Sequence, residues 1–266
     1  MEASDTAGAR DGALFDPTAT RFDLAYERPG SRGAWLRLRL AAVVAAAGPG
    51  PGEALDVGAG SGRLAGALAA AGWTVSAVDP SERMLELIRH RLPDAGDRIR
   101  AGAVESLPFE DGRFDVVTLI GVLRFVDDLD AAFRELARVT APGGRLLVTI
   151  RRPLSASGLA RQPLRFLHRR NVGDSYVWYP WRDGRYWRPP SGMLDGIRAA
   201  GFELVERALV APLVVPEPLD RVHPGGSGRL AEIAAGSSPL RWAFATQVLV
   251  TARRSTPAPA AGVPTG

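Results

Sequence analysis

Residues 55–62 read LDVGAGSG, an apolar run that ends in a glycine-rich turn. A helical pattern over 63–71 follows the turn, and a second apolar run, 73–78, leads to Asp79. Glycines let the backbone turn tightly and approach a ligand closely, and the start of a helix offers unpaired N–H groups. An acidic side chain after the neighbouring strand can accept hydrogen bonds from ribose hydroxyls. The pattern therefore predicts a nucleoside-binding turn.

Strand and helix patterns alternate on both sides of this turn, which favours a doubly wound α/β sheet. We expect a Rossmann-like, mostly parallel, seven-stranded sheet with helices on both faces. The predicted strands are 54–58, 74–78, a short one near Ile99, 114–120, 145–150, 202–210 and 243–252. The predicted helices are 31–47, 63–71, one capped by Ser81 and stopped by Pro93, 128–140, 191–200 and 229–235.

The first predicted helix, 31–47, forms an N-terminal helical cap before the sheet. Its start is assigned to a Ser31 cap, and its inward face to Trp35, Leu38, Ala42 and Ala45. One domain over 15–254 is expected, with a lid insertion, 151–190, after the fifth strand. The tails 1–14 and 255–266 are small, polar or Pro/Ala-rich, and are expected to be disordered.

Composition limits the chemistry that the chain can perform. The 266 residues include no cysteine, which excludes disulfides, thiolate catalysis and cysteine-bound metals, and we expect no metal site. No signal peptide and no apolar run of about 20 residues is visible, so a cytoplasmic protein without a membrane partner is expected. The net charge of +4 is weak support for nucleic-acid binding.

Glycine spacing alone leaves two nucleotide-type ligands open. Gly60, Gly62 and Ala65 satisfy the G-x-G-x-x-A pattern of dinucleotide-binding turns. Asp56, however, stands beside the turn, where its carboxylate would oppose a pyrophosphate. A carboxylate there suits a cationic group such as the ammonium of an amino acid.

Three longer segments carry a resemblance to a known family. They are LDVGAGSGRLAGALAAAGWTVSAVDPSERML over 55–85, ESLPFEDGRFDVVTLIGVLRFVDDL over 105–129 and ELARVTAPGGRLLVTI over 135–150. In this order and at these separations, they resemble the class I S-adenosylmethionine-dependent methyltransferases, particularly the small-molecule branch of quinone and natural-product enzymes. The resemblance implies S-adenosylmethionine as cofactor.

The resemblance also implies roles for single residues. The glycine turn would face the methionine part, Asp56 the amino group, Asp79 the ribose, and the Val104 N–H the adenine ring. The full implied cofactor set is Tyr26, Asp56, Gly58, Ala59, Gly60, Gly62, Asp79, Pro80, Met84, Ala103, Val104 and Ile120. Two positions depart from the family pattern: Ala103 replaces an aspartate that would hold the adenine amino group, and Arg124 replaces a frequent histidine.

The insertion gives the clearest pattern for the methyl acceptor. Residues 151–188 hold nine arginines against Asp174 and Asp183, and residues 176–187 hold six aromatics. Such a segment can form an apolar wall with anion-pairing arginines, or a small core that anchors a loop. The candidate acceptor-side residues are Arg124, Trp178, Tyr179 and Trp181.

The expected reaction is methyl transfer to O, N or C of a small molecule. Because the insertion is rich in aromatics and arginines, we expect this acceptor to be aromatic and anionic. Such displacement can proceed largely by alignment, so a general base is optional. His168, Tyr176 and His223 are candidates for that base, whereas His90 is interpreted as a surface residue. The alternatives are an RNA methyltransferase and a methyltransferase-like cyclase or binding protein. A monomer or a homodimer is expected.

Overall fold

The computed structural model describes residues 16–152, 155–156, 190–212 and 223–256. In these residues seven strands form one sheet with the order β3-β2-β1-β4-β5-β7-β6. The strands are β1 Glu53–Val57, β2 Thr74–Asp79, β3 Ile99–Ala101, β4 Phe114–Leu119, β5 Thr140–Arg151, β6 Phe202–Pro212 and β7 Ala245–Arg254.

The sheet is parallel except for β7, which pairs antiparallel with both β5 and β6. The chain runs outward from β1 to β2 and β3 and then returns to place β4 on the other side of β1. The strand order therefore reverses between β1 and β4, and ligands of such sheets bind at the carboxyl ends of these strands. The predicted seven-stranded, mostly parallel α/β fold is confirmed.

Helices cover both faces of the sheet. They are α1 Ala19–Leu24, α2 Ser31–Ala47, α3 Arg63–Ala70, α4 Glu82–Arg91, α5 Leu129–Val139, α6 Pro190–Ala199, α7 Pro224–Gly236 and α8 Ser238–Phe244. One apolar core contains Phe133 and Leu136 of α5 together with Met193 and Ile197 of α6. The other core contains residues of α2, α3 and α4. No helix in the described ranges is long and apolar enough to cross a membrane.

Local capping explains where two of these helices begin. The Ser81 hydroxyl accepts a hydrogen bond of 3.2 Å from the Met84 N–H, as expected from the sequence. A carboxylate oxygen of Asp128 accepts one of 2.9 Å from the Ala131 N–H. Because each cap satisfies a backbone donor that the helix leaves unpaired, both helices start immediately after these residues.

The N-terminal helix differs from its prediction in its cap and its inward face. Gly30 occupies the cap position, and Ser31 is the first helical residue, whose N–H donates to the Ser227 hydroxyl of α7. The expected face is only partly right, because Trp35 and Ala42 are half-buried and pack against the core, whereas Ala45 is exposed. The buried stripe instead includes Leu36, Arg39, Val43 and Ala47.

The C-terminal part also differs from its prediction. The helix expected at 229–235 is longer, Pro224–Gly236, and a second helix, Ser238–Phe244, follows it. The last strand accordingly begins at Ala245, two residues later than expected. Strand β5 begins at Thr140, whereas the expected strand began at residue 145. Its register with β4 shifts between Phe114 and Val116.

The proposed domain division stays a prediction. The expected tail 1–14, residues 257–266 of the other expected tail, and nearly all of the lid 151–190 lie outside the described residues. The described N-terminal part consists of a 3-10 helix, Asp16–Thr18, then α1 and α2, which matches the expected helical cap.

Candidate functional site

The glycine-rich turn joins β1 to α3 at the carboxyl edge of the sheet. Gly58, Gly60 and Gly62 have φ angles of +66°, +54° and +75°, a region that residues with a Cβ rarely adopt. A Cβ at Gly58 would lie only 2.4 Å from Val122 Cγ2, so the turn also packs tightly against the segment after β4. Sequence reasoning placed the glycines correctly at a turn that brings the backbone to the ligand edge.

Asp79 ends β2 and is 6% exposed. Its Oδ2 accepts a hydrogen bond of 2.8 Å from the Gly60 N–H, and its Oδ1 accepts one of 3.0 Å from the Ser81 N–H. Two backbone donors therefore orient this carboxylate against the turn. Each carboxylate oxygen has a second lone pair, which allows further donors such as hydroxyls to bind.

Asp56 lies on β1 directly opposite Thr118 of β4 and is 2% exposed. The Thr118 hydroxyl donates a hydrogen bond of 2.7 Å to Oδ1, whereas the buried Oδ2 has no hydrogen-bond partner among the described residues. Burial raises the pKa of Asp56 to about 7, and the negative charge of Asp79 adds to this rise. The Thr118 hydrogen bond, a backbone hydrogen bond from Ala65 and the charge of Arg39 oppose it. An unpartnered buried carboxylate oxygen is costly unless a cationic donor joins it.

The predicted adenine-side residues surround the end of β3. The Val104 side chain is 5% exposed and packs in the core, while its N–H makes no hydrogen bond within the described residues. Ala103, half-buried, forms an isolated bridge with Ser106. Met84 is 3% exposed on α4, and Pro80 is half-buried. The Val104 N–H is thus a backbone donor at the position where the sequence predicts one.

The segment after β4 packs against the glycine-rich turn. Ile120 is half-buried and packs against the core beneath α2. Gly121 has a φ of +80°, and its N–H donates a hydrogen bond of 2.8 Å to the Thr149 hydroxyl of β5. The backbone after β4 is therefore tied to β5 next to the glycine-rich turn.

An N-terminal segment, Asp16 to Glu27, lies across the turn and is held by ion pairs. The Arg63 guanidinium binds both Asp23, at 2.7 Å, and Glu27, at 2.7 Å. Arg91 of α4 also binds Asp23, at 3.2 Å. Because Arg63 begins α3 directly after the turn, these pairs fix the segment over it. The sequence did not indicate this arrangement, since oppositely charged residues far apart in the chain carry no spacing pattern.

Two aromatic residues of this segment contact the turn region. The Tyr26 ring lies 5.6 Å from the Arg63 Cζ and meets Phe22 edge-to-face. The residue against the turn itself is Phe22, whose Cε1 is 3.3 Å from the place a Cβ of Gly60 would take. Sequence reasoning identified Tyr26 and missed Phe22, which resembles any apolar helix residue when read from sequence alone.

Few acceptor-side candidates fall within the described residues. Arg124 is exposed, with its Cζ 4.4 Å from the centre of the Phe125 ring. His223 is exposed and precedes α7, and His90 is exposed on α4. The candidates outside the described residues are His168, Tyr176, Trp178, Tyr179 and Trp181. Their roles stay predictions.

Comparison with known proteins gives an independent line of evidence. A family described as "Methyltransferase domain" matches residues 55–148. The demethylmenaquinone methyltransferase of Parafrankia sp. is 35% identical over 222 residues, covering 73% of this chain and 86% of that protein. The demethylmenaquinone methyltransferase of Renibacterium salmoninarum is 42% identical over 138 residues, or 51% of this chain and 56% of that protein. The match to three of the curated relatives is shorter, since the chain spans 56%, 55% and 56% of their lengths.

Solved structures show the same fold at lower identity. A methyltransferase from Thermotoga maritima superposes with a TM-score of 0.59 at 23% identity, covering 91% of this chain and 99% of that one. The cyclase SpnF superposes with a TM-score of 0.59 at 18% identity, covering 94% and 96%. Identities this low support the fold alone, whereas the long match to the Parafrankia protein establishes kinship. The chain belongs to the class I S-adenosylmethionine-dependent methyltransferase family.

Proposed function

We propose that this protein transfers a methyl group from S-adenosylmethionine to a quinone-type small molecule. The observation that carries the proposal is the buried, unpartnered Oδ2 of Asp56 beside the glycine-rich turn. An amino acid's ammonium group is the donor that would satisfy this oxygen, and S-adenosylmethionine carries one. A pyrophosphate would meet a carboxylate instead of a donor, which disfavours a dinucleotide.

The remaining residues fit the rest of the same cofactor. The Asp79 carboxylate, oriented by the Gly60 and Ser81 N–H groups, would accept hydrogen bonds from the two ribose hydroxyls. The unpaired Val104 N–H would donate to the adenine ring. Pro80 and Met84 would pack against the adenine face. With Ala103 in place of an aspartate, the adenine amino group would gain no carboxylate partner from that position.

The chain's own contribution to methyl transfer would be alignment and exclusion of water. When bound, S-adenosylmethionine supplies an electrophilic methyl group on a sulfonium sulfur. The glycine-rich turn and Ile120 would hold the sulfonium end at the carboxyl edge of β1 and β4. Phe22 and the ion-paired N-terminal segment would cover the turn and keep solvent from it.

The acceptor class comes from the relatives and from the composition of the insertion. The two relatives described above are named as demethylmenaquinone methyltransferases, and one of them matches over 73% of this chain. Six aromatics within residues 176–187 could stack on a flat quinone-type ring, and the nearby arginines could pair with its oxygens. We therefore infer an aromatic, oxygen-bearing acceptor.

The experiment is calorimetric titration with S-adenosylhomocysteine and, in parallel, with NAD⁺. We expect saturable binding of S-adenosylhomocysteine by the wild-type protein and none of NAD⁺. Absence of S-adenosylhomocysteine binding by a folded protein would refute the proposal. A steep salt-dependent association with bulk tRNA would instead favour an RNA acceptor.

A further inference from the structure

Helix α7 packs with its small residues inward and its large apolar residues outward. Its buried residues are Ser227, Gly228, Ala231 and Ala234. A Cβ at Gly228 would lie 2.2 Å from the Pro29 carbonyl oxygen, so a small residue there lets the helix approach the chain that leads into α2. Leu230 and Ile233 lie one turn apart on the outward side, and Ile233 is 60% exposed. A surface helix normally turns such side chains toward the core, so this outward face is inverted.

The next helix, α8, continues this apolar surface. It contacts α7, none of its residues is buried, and Trp242 is 66% exposed. Six large apolar side chains are exposed in the described residues, and four of them lie on these two helices: Leu230, Ile233, Leu240 and Trp242. Single exposed apolar residues are normal, whereas a cluster of them marks an interaction surface. We call these four residues the apolar patch.

The charged residues of α7 and α8 are mainly arginines. Arg229 is exposed on α7, and Arg241 is half-buried on α8. Arg152, which follows β5, stacks with its Cζ 5.2 Å from the centre of the Trp242 ring and donates a hydrogen bond to the Trp242 carbonyl oxygen. The sequence of the two helices contains one acid, Glu232, so three arginines and one glutamate leave a net charge of +2. An apolar surface flanked by positive charge is complementary to an anionic surface with an apolar interior.

The apolar patch borders the edge of the sheet where ligands bind. Helix α8 leads directly into β7, which is antiparallel to β5 and therefore begins at the carboxyl edge of the parallel strands. Arg152 lies at that same edge, and its N–H donates a hydrogen bond of 2.8 Å to the Thr246 carbonyl oxygen of β7. A partner seated on the patch would therefore lie beside the carboxyl edge of the sheet.

We propose that the apolar patch docks this protein on the surface of an anionic lipid bilayer. The four apolar side chains would enter the boundary between head groups and acyl chains, and the arginines would pair with lipid phosphates. Tryptophan and arginine suit this depth, because each has an apolar body and a polar end. A second copy of the chain fits less well, because a symmetric interface would set the arginines of one patch against those of the other.

A surface contact of this kind needs no helix that crosses the membrane. The sequence expectation of no membrane partner rested on the lack of an apolar run of about 20 residues, which a bilayer requires only of a spanning segment. Docking goes beyond the proposed function and does not depend on the identity of the cofactor or of the acceptor.

The test is co-sedimentation of the full chain with vesicles of phosphatidylglycerol and phosphatidylcholine in equal amounts, and with vesicles of phosphatidylcholine alone. We expect at least about tenfold stronger partitioning onto the anionic vesicles, because arginines near such a surface are attracted to it. Ile233→Ser and Trp242→Ser should each weaken binding by about fivefold to twentyfold, since each removes an apolar side chain that the bilayer would bury. Arg229→Gln should weaken it by about threefold to tenfold.

Val205→Ser is the matched control for the apolar variants. Val205 is 59% exposed, close to the value for Ile233, but it lies near the amino end of β6, away from the carboxyl edge. Arg134→Gln, which changes an exposed arginine on α5, is the matched control for charge. Both controls should bind within about twofold of the wild-type protein, and thermal melting of each variant verifies that it is folded.

Several results would overturn this assignment. Absence of binding to the anionic vesicles by the folded protein would refute docking outright. Equal losses for Ile233→Ser and Val205→Ser, or a loss for Arg229→Gln alone, would show that binding does not use the apolar patch. Dimers in sedimentation velocity that Ile233→Ser dissociates would assign the patch to a second copy. Failure to bind S-adenosylhomocysteine would refute the proposed function and leave the vesicle result standing.

Discussion

The Thr118 hydroxyl donates a hydrogen bond of 2.7 Å to Asp56 Oδ1 across the β1–β4 pair, where the strand order of the sheet reverses. The bond occupies one carboxylate oxygen, and within the part of the chain that the structure describes the other, Oδ2, has no hydrogen-bond partner. Thr118 is itself 0% exposed, so the hydroxyl has no access to solvent that could replace this contact. The Thr118 hydroxyl is therefore the side-chain group that orients this carboxylate, beside a backbone contribution from Ala65.

Thr118→Val should weaken binding of S-adenosylhomocysteine by roughly tenfold, because the valine cannot orient or stabilise the charged carboxylate. Loss of that bond should also raise the pKa of Asp56, since the bond favours the ionised form. Thr118→Ser keeps the hydroxyl and is the control. Calorimetry at several pH values measures both effects, and a wild-type affinity for the valine variant at every pH would contradict the role of Thr118.

Cofactor binding should weaken as the pH falls below about 7. The pKa of Asp56 is raised to about 7, chiefly by burial, and only the ionised form attracts an ammonium group. Asp79 and Arg39 are the charged neighbours that act on it, the first raising and the second lowering the pKa of Asp56. Titration with S-adenosylhomocysteine from pH 5.5 to 8.5 should show the decline, and Asp56→Asn should abolish it. A wild-type affinity that is flat over this range would disprove this explanation.

The carboxyl group of Asp56 should also lower the stability of the folded protein at high pH. Its folded pKa lies above the ordinary value of 3.8, so the folded state binds the proton more tightly than the unfolded chain does. Stability from this group therefore falls as pH rises from about 4 to 7 and stays low above it. Asp56→Asn should accordingly gain melting temperature relative to wild type at pH 8, and less so at pH 5. A loss at pH 8 would indicate that the carboxylate is stabilised by a contact other than those described.

Gly58→Ala should reduce both stability and cofactor affinity. The new Cβ would require a φ of +66° and would lie 2.4 Å from Val122 Cγ2. Gly201→Ala is the matched control, because Gly201 also has a positive φ, +89°, but nothing lies within 4 Å of its Cβ position. The control isolates backbone strain of about 1 kcal/mol. Thermal melting should show a larger drop in melting temperature for Gly58→Ala than for the control variant. The double variant Gly58→Ala/Val122→Ala should recover part of this drop. Equal drops for the two single variants would refute the proposed clash.

The ion pairs of Asp23 should slow the dissociation of the bound cofactor. Asp23→Asn removes the carboxylate that binds Arg63 and Arg91, which together hold the N-terminal segment over the glycine-rich turn. We expect faster dissociation of S-adenosylhomocysteine, by about threefold to tenfold, because partly buried ion pairs contribute about 1 kcal/mol. Stopped-flow displacement measures the rate. Glu86→Gln, which breaks an exposed ion pair with Arg83 on α4, should leave it unchanged; an unaltered rate for Asp23→Asn would exclude this function of the segment.

Much of the fold could be predicted because its signals are local. Apolar runs and glycine turns located β1, β2 and β4 to within one residue at each end, and Ser81 capped its helix as expected. The C-terminal helices were harder, because the Gly- and Ala-rich residues 224–236 have little contrast between faces, and α8 has no buried residue. Sequence patterns therefore describe strands and caps better than helices that pack through small residues.

The candidate site was only partly predictable for a related reason. Asp56, Asp79 and the glycines lie in one continuous stretch and share a recognisable spacing. Arg39 was assigned to no site, because an arginine on an amphipathic helix is normally exposed, and only the packing of α2 shows that it is buried. Phe22 reaches the turn through ion pairs that join residues about 40 positions apart, such as Arg63 and Asp23.

Transfer of a labelled methyl group tests the central claim most directly. The wild-type protein would be incubated with methyl-labelled S-adenosylmethionine and a chemically reduced quinone that lacks its ring methyl, and the extracted product analysed by mass spectrometry. We predict one labelled methyl group per product molecule and stoichiometric release of S-adenosylhomocysteine, with Asp56→Asn strongly impaired. Tight binding of S-adenosylmethionine together with a converted but unlabelled product would contradict the account and indicate a cyclase-like role instead.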